Sequence, residues 1–187
     1  MSDPARKLEP ITLEEFDSMD FGDRRAELID GEVVVAQAFP SARHGQVAAS
    51  LVVALFQAIR AAEADCRVET GTGIDIRLEA DFRLGPDVMV RCGDGDGDPV
   101  LVVEVLSPSN SASEMLRKLR AYQAVESITD ILFLEQDEHY AQHWSRRPGE
   151  PWGAPVYLIG PDAMVRIARF GAEIGLADIY RQALRDR

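Results

Sequence analysis

Lysine is almost missing from this chain. Of its 20 cationic side chains only Lys7 and Lys118 are lysines, and the other eighteen are arginines. A lysine where arginine is the habit marks a place that wants a compact ammonium rather than a planar fork. Cysteine is equally sparse: Cys66 and Cys92 form neither a disulfide framework nor a C-x-x-C pair, which points to a reducing interior rather than secretion. Long apolar runs are lacking too. The longest helix-like stretch, Val47 to Ile59, is short of the roughly 20 residues a membrane span needs and is broken by Ser50 and Gln57. The opening MSDPARKLEP is polar, with no apolar signal-peptide region. These absences predict a cytoplasmic protein with no membrane partner.

Several reaction classes drop out in the same way. There is no P-loop and no glycine-rich dinucleotide fingerprint. Ser107, Ser109, Ser111 and Ser113 lack a G-x-S-x-G elbow and a neighbouring histidine, so helix capping explains them better than nucleophilic catalysis. The acidic DGDGDP loop is not an EF-hand, because Pro99 stands where that loop needs glycine and Val105 where it needs an acid.

What is present is acid. The formal net charge is -12. Such a surface repels nucleic-acid phosphates, although screening over about 8 Å lets a local patch dominate. A chain of 187 residues is expected to form one domain with a sizeable core, residues 11–187, behind a flexible leader, 1–10.

Taken in order, Thr12 and Glu15 spell a capping box for a short helix to about Met19. Asp30-Gly31 between two alternating runs predicts a hairpin, with Glu27 on its first strand. Ser41 to Ala64 reads as the longest helix, its Val47, Leu51, Ala54, Leu55 and Ala58 at helical spacing and His44 in its first turn. Strands are expected at 67–70 and 73–78. Beyond the central stretch, Ser111 and Glu114 offer a second capping box for a helix to about Ala124, with Met115, Leu116, Leu119 and Tyr122 as its inner stripe and Lys118 at the edge. Strands at 129–135 and 139–146 are expected to form a hairpin around Gln136-Asp137-Glu138, with His139 and His143 as surface residues. Short strands at 155–159 and 164–170 precede a terminal helix beginning at Gly175.

The central stretch, residues 84–122, reads as strand, acidic turn, strand and capped helix. If its hairpin closes through the loop from Cys92 to Pro99, opposed residues sum to 191, and so do Asp87 and Glu104. That register sets two carboxylates side by side, their Cβ atoms roughly 5 Å apart. Like charges at that range repel by about 3 kcal/mol at an effective dielectric near 20. Either one carboxyl holds a proton or a cation lies between them.

ELIDGEVV at 27–34, Pro40-Ser41 with His44, Pro86-Asp87-Val88, LVVEVLSPS at 101–109 and the Lys118…Tyr122 pair stand in one order. In these motifs, and from about Thr12 to Tyr180, the chain resembles the Uma-two family of restriction-endonuclease-like proteins, assigned to the PD-(D/E)XK nuclease fold. The resemblance implies a mixed α/β core, a central mixed sheet flanked by helices, with extra β-hairpins. It implies that Asp87 and Glu104 are metal-binding acids and Glu27 an additional one. The fold's usual lysine lies two residues past the glutamate, where this chain has Leu106; Lys118 resembles a migrated lysine.

The expected activity is Mg²⁺- or Mn²⁺-dependent hydrolysis of DNA phosphodiesters. Asp87, Glu104, the Val105 carbonyl and Glu27 would hold metal, and Lys118 would orient the metal-bound water or stabilise the phosphate. His44, Arg117 and Arg120 are secondary candidates for phosphate contacts. A homodimer is expected by analogy with small nucleases that cut both strands. The competing class is a non-catalytic nuclease fold used for protein binding or assembly, suggested by the acidity and by Leu106.

Overall fold

Three helices begin at a side-chain cap, Thr12, Ser41 and Ser111. In the computed structural model, which describes residues 9–35 and 39–185, the elements in chain order begin with α1 (Leu13–Asp17), β1 (Ala26–Ile29), β2 (Glu32–Val35), α2 (Ala42–Ala61), β3 (Cys66–Glu69), β4 (Ile74–Arg77) and β5 (Asp81–Leu84). They continue with β6 (Val88–Cys92), β7 (Asp98–Leu106), α3 (Ala112–Ala124), β8 (Asp130–Glu135), β9 (Tyr140–Ser145), β10 (Val156–Ile159), β11 (Met164–Ile167), a 3-10 turn at Ala168–Phe170, β12 (Ala172–Gly175) and α4 (Leu176–Tyr180). Of the expected leader, residues 1–8 lie outside the described residues. The chain divides into two compact units, a smaller one from 1–39 and 73–85 and a larger one from 40–72 and 86–187.

The smaller unit is an antiparallel sheet in the order β2-β1-β5-β4. Asp30 and Gly31, at φ 57° and 72°, make the β1–β2 turn, and both types tolerate that left-handed geometry. Thr12 and Glu15 form the expected reciprocal capping box on α1. Leu13 and Phe16 of that helix pack on Leu28 of β1, and Asp81 accepts a 2.9 Å bond from the Leu13 N–H. Strand β5 is an addition to the elements expected: four residues, DFRL, give the alternation too little length to stand out.

The larger unit is a mixed six-stranded sheet, β10-β9-β8-β7-β6-β3. Its one parallel pair is β7–β8, joined through α3, and the other neighbours are antiparallel. Val47, Leu51, Leu55 and Ile59 recur every four residues on α2 and cover one sheet face, built from Val88, Val90, Leu101, Val103, Val105, Leu132 and Leu134. Fully burying each such side chain contributes roughly 1.5–3 kcal/mol. Alternation along the strands turns Met89, Val102, Glu104, Ile131 and Phe133 to the other face. All of these are buried, and Glu104 is the one charged group among them.

Four expectations need correction. The β6–β7 register obeys the sum of 191 at Val88↔Val103, Met89↔Val102 and Val90↔Leu101, but shifts by one to Arg91↔Pro99 and Cys92↔Asp98. A bulge at Val100 absorbs the extra residue, so the loop closes one position earlier than expected while the register beside Glu104 is unchanged. Cys66 and Cys92, which oppose each other across β3 and β6, are joined in a disulfide rather than left apart; a strand pairing 26 residues apart in sequence gives no local spacing signal. The inner stripe of α3 is Met115, Lys118, Ala121 and Tyr122, whereas Leu116 is 48% exposed. His143 is buried, not at the surface, and its Nε2 lies 2.9 Å from Asp130 Oδ1. Strand β12 was not expected either; it pairs with β11.

No described helix is long and apolar enough to cross a membrane.

Candidate active site

Glu104 sits two residues before the end of the most buried strand, β7. Alternation forces its carboxylate to the face opposite α2, where α3 supplies its partners. Ser111 caps that helix by accepting from the Glu114 N–H at 3.2 Å. From there the helical repeat puts Lys118 and Tyr122, four apart, one above the other on the buried side. Lys118 Nζ donates to Glu104 Oε1 at 3.2 Å and the Tyr122 hydroxyl donates to the same oxygen at 2.7 Å. The lysine and glutamate side chains are only 5% and 9% exposed.

Asp87 stands one residue before β6 begins. The ladder therefore ends at Val88↔Val103, one rung short of Asp87 and Glu104. This late start has a consequence for Val105, whose peptide groups must be satisfied by something other than a β6 backbone. Its N–H donates to Asp87 Oδ2 at 2.8 Å. The same carboxylate oxygen lies 3.2 Å from His44 Nε2. The hydrogen bond to Asp87 holds the His44 imidazolium above the usual histidine range against the opposing effect of burial, helped by the charges of Asp87 and Glu104 and by the Val105 backbone. One histidine ring is thus in the field of both acids.

His44 is placed by α2. Ser41, the N-cap, accepts from the His44 N–H at 3.1 Å and donates to Gln136 Oε1 at 2.8 Å, tying the helix start to the end of β8. Gln136 itself is buried, and its N–H donates to the Leu106 carbonyl. Leu106, at the position where the fold's usual lysine stands, is half-buried at the end of β7.

His44, Asp87, Glu104 and Lys118 thus come together within the larger unit. Glu27 belongs to the smaller unit, where its Oε1 accepts from the Gly85 N–H at 2.7 Å. On α3, Arg117 is half-buried at the edge of the buried face, whereas Arg120 is exposed on the opposite side of the helix, beside Leu116. Tyr122 and Gln136 were not singled out as site residues from sequence. The signal for Tyr122 was present in its four-residue spacing from Lys118, but its ring reads equally well as core. Nothing local marks Gln136. Among the described residues, no group of three or more histidine, cysteine or acidic side chains is arranged to hold a metal.

Over residues 13–173 the sequence matches the Uma2 family, described as "Putative restriction endonuclease". The chain belongs to the Uma2 family. No curated protein matches it. Among solved structures it is similar to a nuclease-named protein, "a putative nuclease belonging to DUF820 from Anabaena variabilis ATCC 29413", with a TM-score of 0.73 and 19% identity. That alignment covers 94% of this chain and 100% of the other. The likeness carries the fold: a mixed central sheet flanked by helices, as the Uma2 motifs implied. In this Uma2 chain the motif PDV supplies Asp87, the motif LVVEVLSPS supplies Glu104, and the Lys118…Tyr122 pair meets Glu104.

Proposed function

We propose that this chain is a metal-dependent endonuclease that hydrolyses phosphodiester bonds in DNA, with Asp87 and Glu104 as its metal ligands and Lys118 as its catalytic ammonium. The observation that carries the reading is the buried Lys118–Glu104 pair beside the Asp87–Val105 bond. Burying an ion pair usually costs more than its attraction returns. Its presence at the end of β7, in a chain that otherwise uses arginine, marks a site of chemistry rather than a device for stability.

The donor set fits Mg²⁺ or Mn²⁺. Two carboxylates and the Val105 carbonyl are hard oxygen donors, and Mg²⁺ is commonly held by one or two carboxylates together with water and substrate phosphate rather than by a full protein cage. When bound, such an ion supplies a water of lowered pKa and neutralises charge on the leaving oxygen. The protein's own part is orientation and charge. Asp87 is fixed by the Val105 N–H, and Glu104 by two donors from α3. Lys118 brings a positive charge into a water-poor place, where it stabilises negative charge developing on the phosphate. His44 is the phosphate contact nearest these acids, with Arg117 and Arg120 of α3 as the further candidates. A homodimer belongs to this reading, since two copies bring two sites to a duplex.

Cleavage of supercoiled and single-stranded DNA with Mg²⁺ or Mn²⁺ tests the proposal. Wild type should cut, and Asp87→Ala, Glu104→Ala and Lys118→Met should each lose at least 100-fold. Unchanged cleavage in either acid variant removes the assigned site, and a folded wild type that neither cuts nor binds metal favours the non-catalytic reading. Glu27→Ala in the same assay tests the role the family resemblance gives that acid, and sedimentation tests the dimer.

A further inference from the structure

We infer that Tyr122 is a positioning residue for the metal, aiming the Glu104 carboxylate through its hydroxyl; this rests on the metal-dependent reading above. Tyr122 has no solvent exposure and is among the largest wholly buried side chains. A ring needed only for packing could be phenylalanine, since a buried phenol must also find a partner for its hydroxyl. Here the partner is a carboxylate, and the 2.7 Å bond is shorter than the 3.2 Å bond from Lys118. Both donors come from one helix, one turn apart, and both described bonds end on Oε1.

Two donors reaching one oxygen restrict how the Glu104 carboxylate can turn. The phenol does this without adding charge, so it orients Glu104 without further weakening the acid's attraction for a cation. Outer partners of this kind hold metal-ligating groups in place, and their removal typically weakens metal affinity 10- to 100-fold. Tyr180 offers an internal control. It is equally buried, but its hydroxyl donates to the backbone carbonyls of Glu135 and Tyr140.

The experiment is calorimetric titration of Mn²⁺ into wild type, Tyr122→Phe and Tyr180→Phe, with cleavage measured over the same Mn²⁺ range. Tyr122→Phe should raise the Mn²⁺ dissociation constant about 10- to 100-fold at unchanged stoichiometry, and raising Mn²⁺ should recover most of the cleavage rate. Tyr180→Phe should keep the wild-type constant. A wild-type constant in folded Tyr122→Phe overturns the inference, as does equal weakening in both variants. Wild type that takes no Mn²⁺ overturns the metal reading itself, a separate result. If Tyr122→Phe does not fold, tyrosine labelled with ¹³C at Cζ in the unmodified chain gives the answer. Saturating Mg²⁺ should shift the Tyr122 resonance, assigned by changing the other three tyrosines to phenylalanine one at a time, and an unmoved resonance overturns the inference.

Discussion

Lys118 carries its charge into a place where water hardly reaches it, and Glu104 is an ion-pair partner for it there. Removing one member of such a pair strands the other. Lys118→Met should therefore destabilise the metal-free protein by about 3–5 kcal/mol in urea unfolding. The double change Glu104→Gln with Lys118→Met should recover much of that loss, because an uncharged pair of similar volume has no desolvation to offset. His44 makes a second prediction at this scale. Its bond to Asp87 raises its pKa above the ordinary value near 6.5. A raised folded pKa means that the stabilisation is fully present below about pH 6.5 and is lost as pH climbs through the folded value. Metal-free wild type should lose stability relative to His44→Gln between pH 6 and pH 9. A constant difference between the two across that range would contradict the His44–Asp87 bond.

A single short helix, α3, explains why the site forms where it does. Its cap, its length and its two inward donors are written in thirteen residues plus Ser111. The hairpin at Asp30-Gly31, the caps at Thr12 and Ser111, and the register beside Glu104 were all legible because each depends on neighbours within a few residues. What was not legible depends on partners distant in sequence. The buried stripe of α3 is rotated from the apolar one because Glu104 draws Lys118 inward, at the cost of leaving Leu116 exposed. His143 is buried because β8 presents Asp130 to it, and the Val100 bulge shows only when β6 and β7 are paired. The Cys66–Cys92 disulfide is the same kind of feature, linking β3 to β6 across the ladder. By constraining the unfolded chain over a separation of 26 residues it should contribute on the order of 3 kcal/mol. Cys66→Ser should lower the denaturation midpoint of the oxidised protein accordingly, and should change nothing in protein already treated with reductant.

Across the whole molecule, a formal charge of -12 works against DNA binding at long range. Screening confines that repulsion to about 8 Å at physiological salt, so under the proposed activity the charges near Glu104 would decide the encounter with DNA. Lys118, His44, Arg117 and Arg120 all belong to the larger unit, which also contains both acids assigned to the metal. Membership of the Uma2 family agrees with a nuclease, and the acids' shared neighbour, His44, puts them in one electrostatic environment. The measurement that tests this most directly is Mn²⁺ binding to wild type, Asp87→Ala and Glu104→Ala by titration calorimetry in the absence of DNA. Wild type should bind with a millimolar or tighter constant, and each substitution should abolish that binding while the protein stays folded. Binding that survives both substitutions, or a wild type that takes up no ion, would contradict a site made by Asp87 and Glu104.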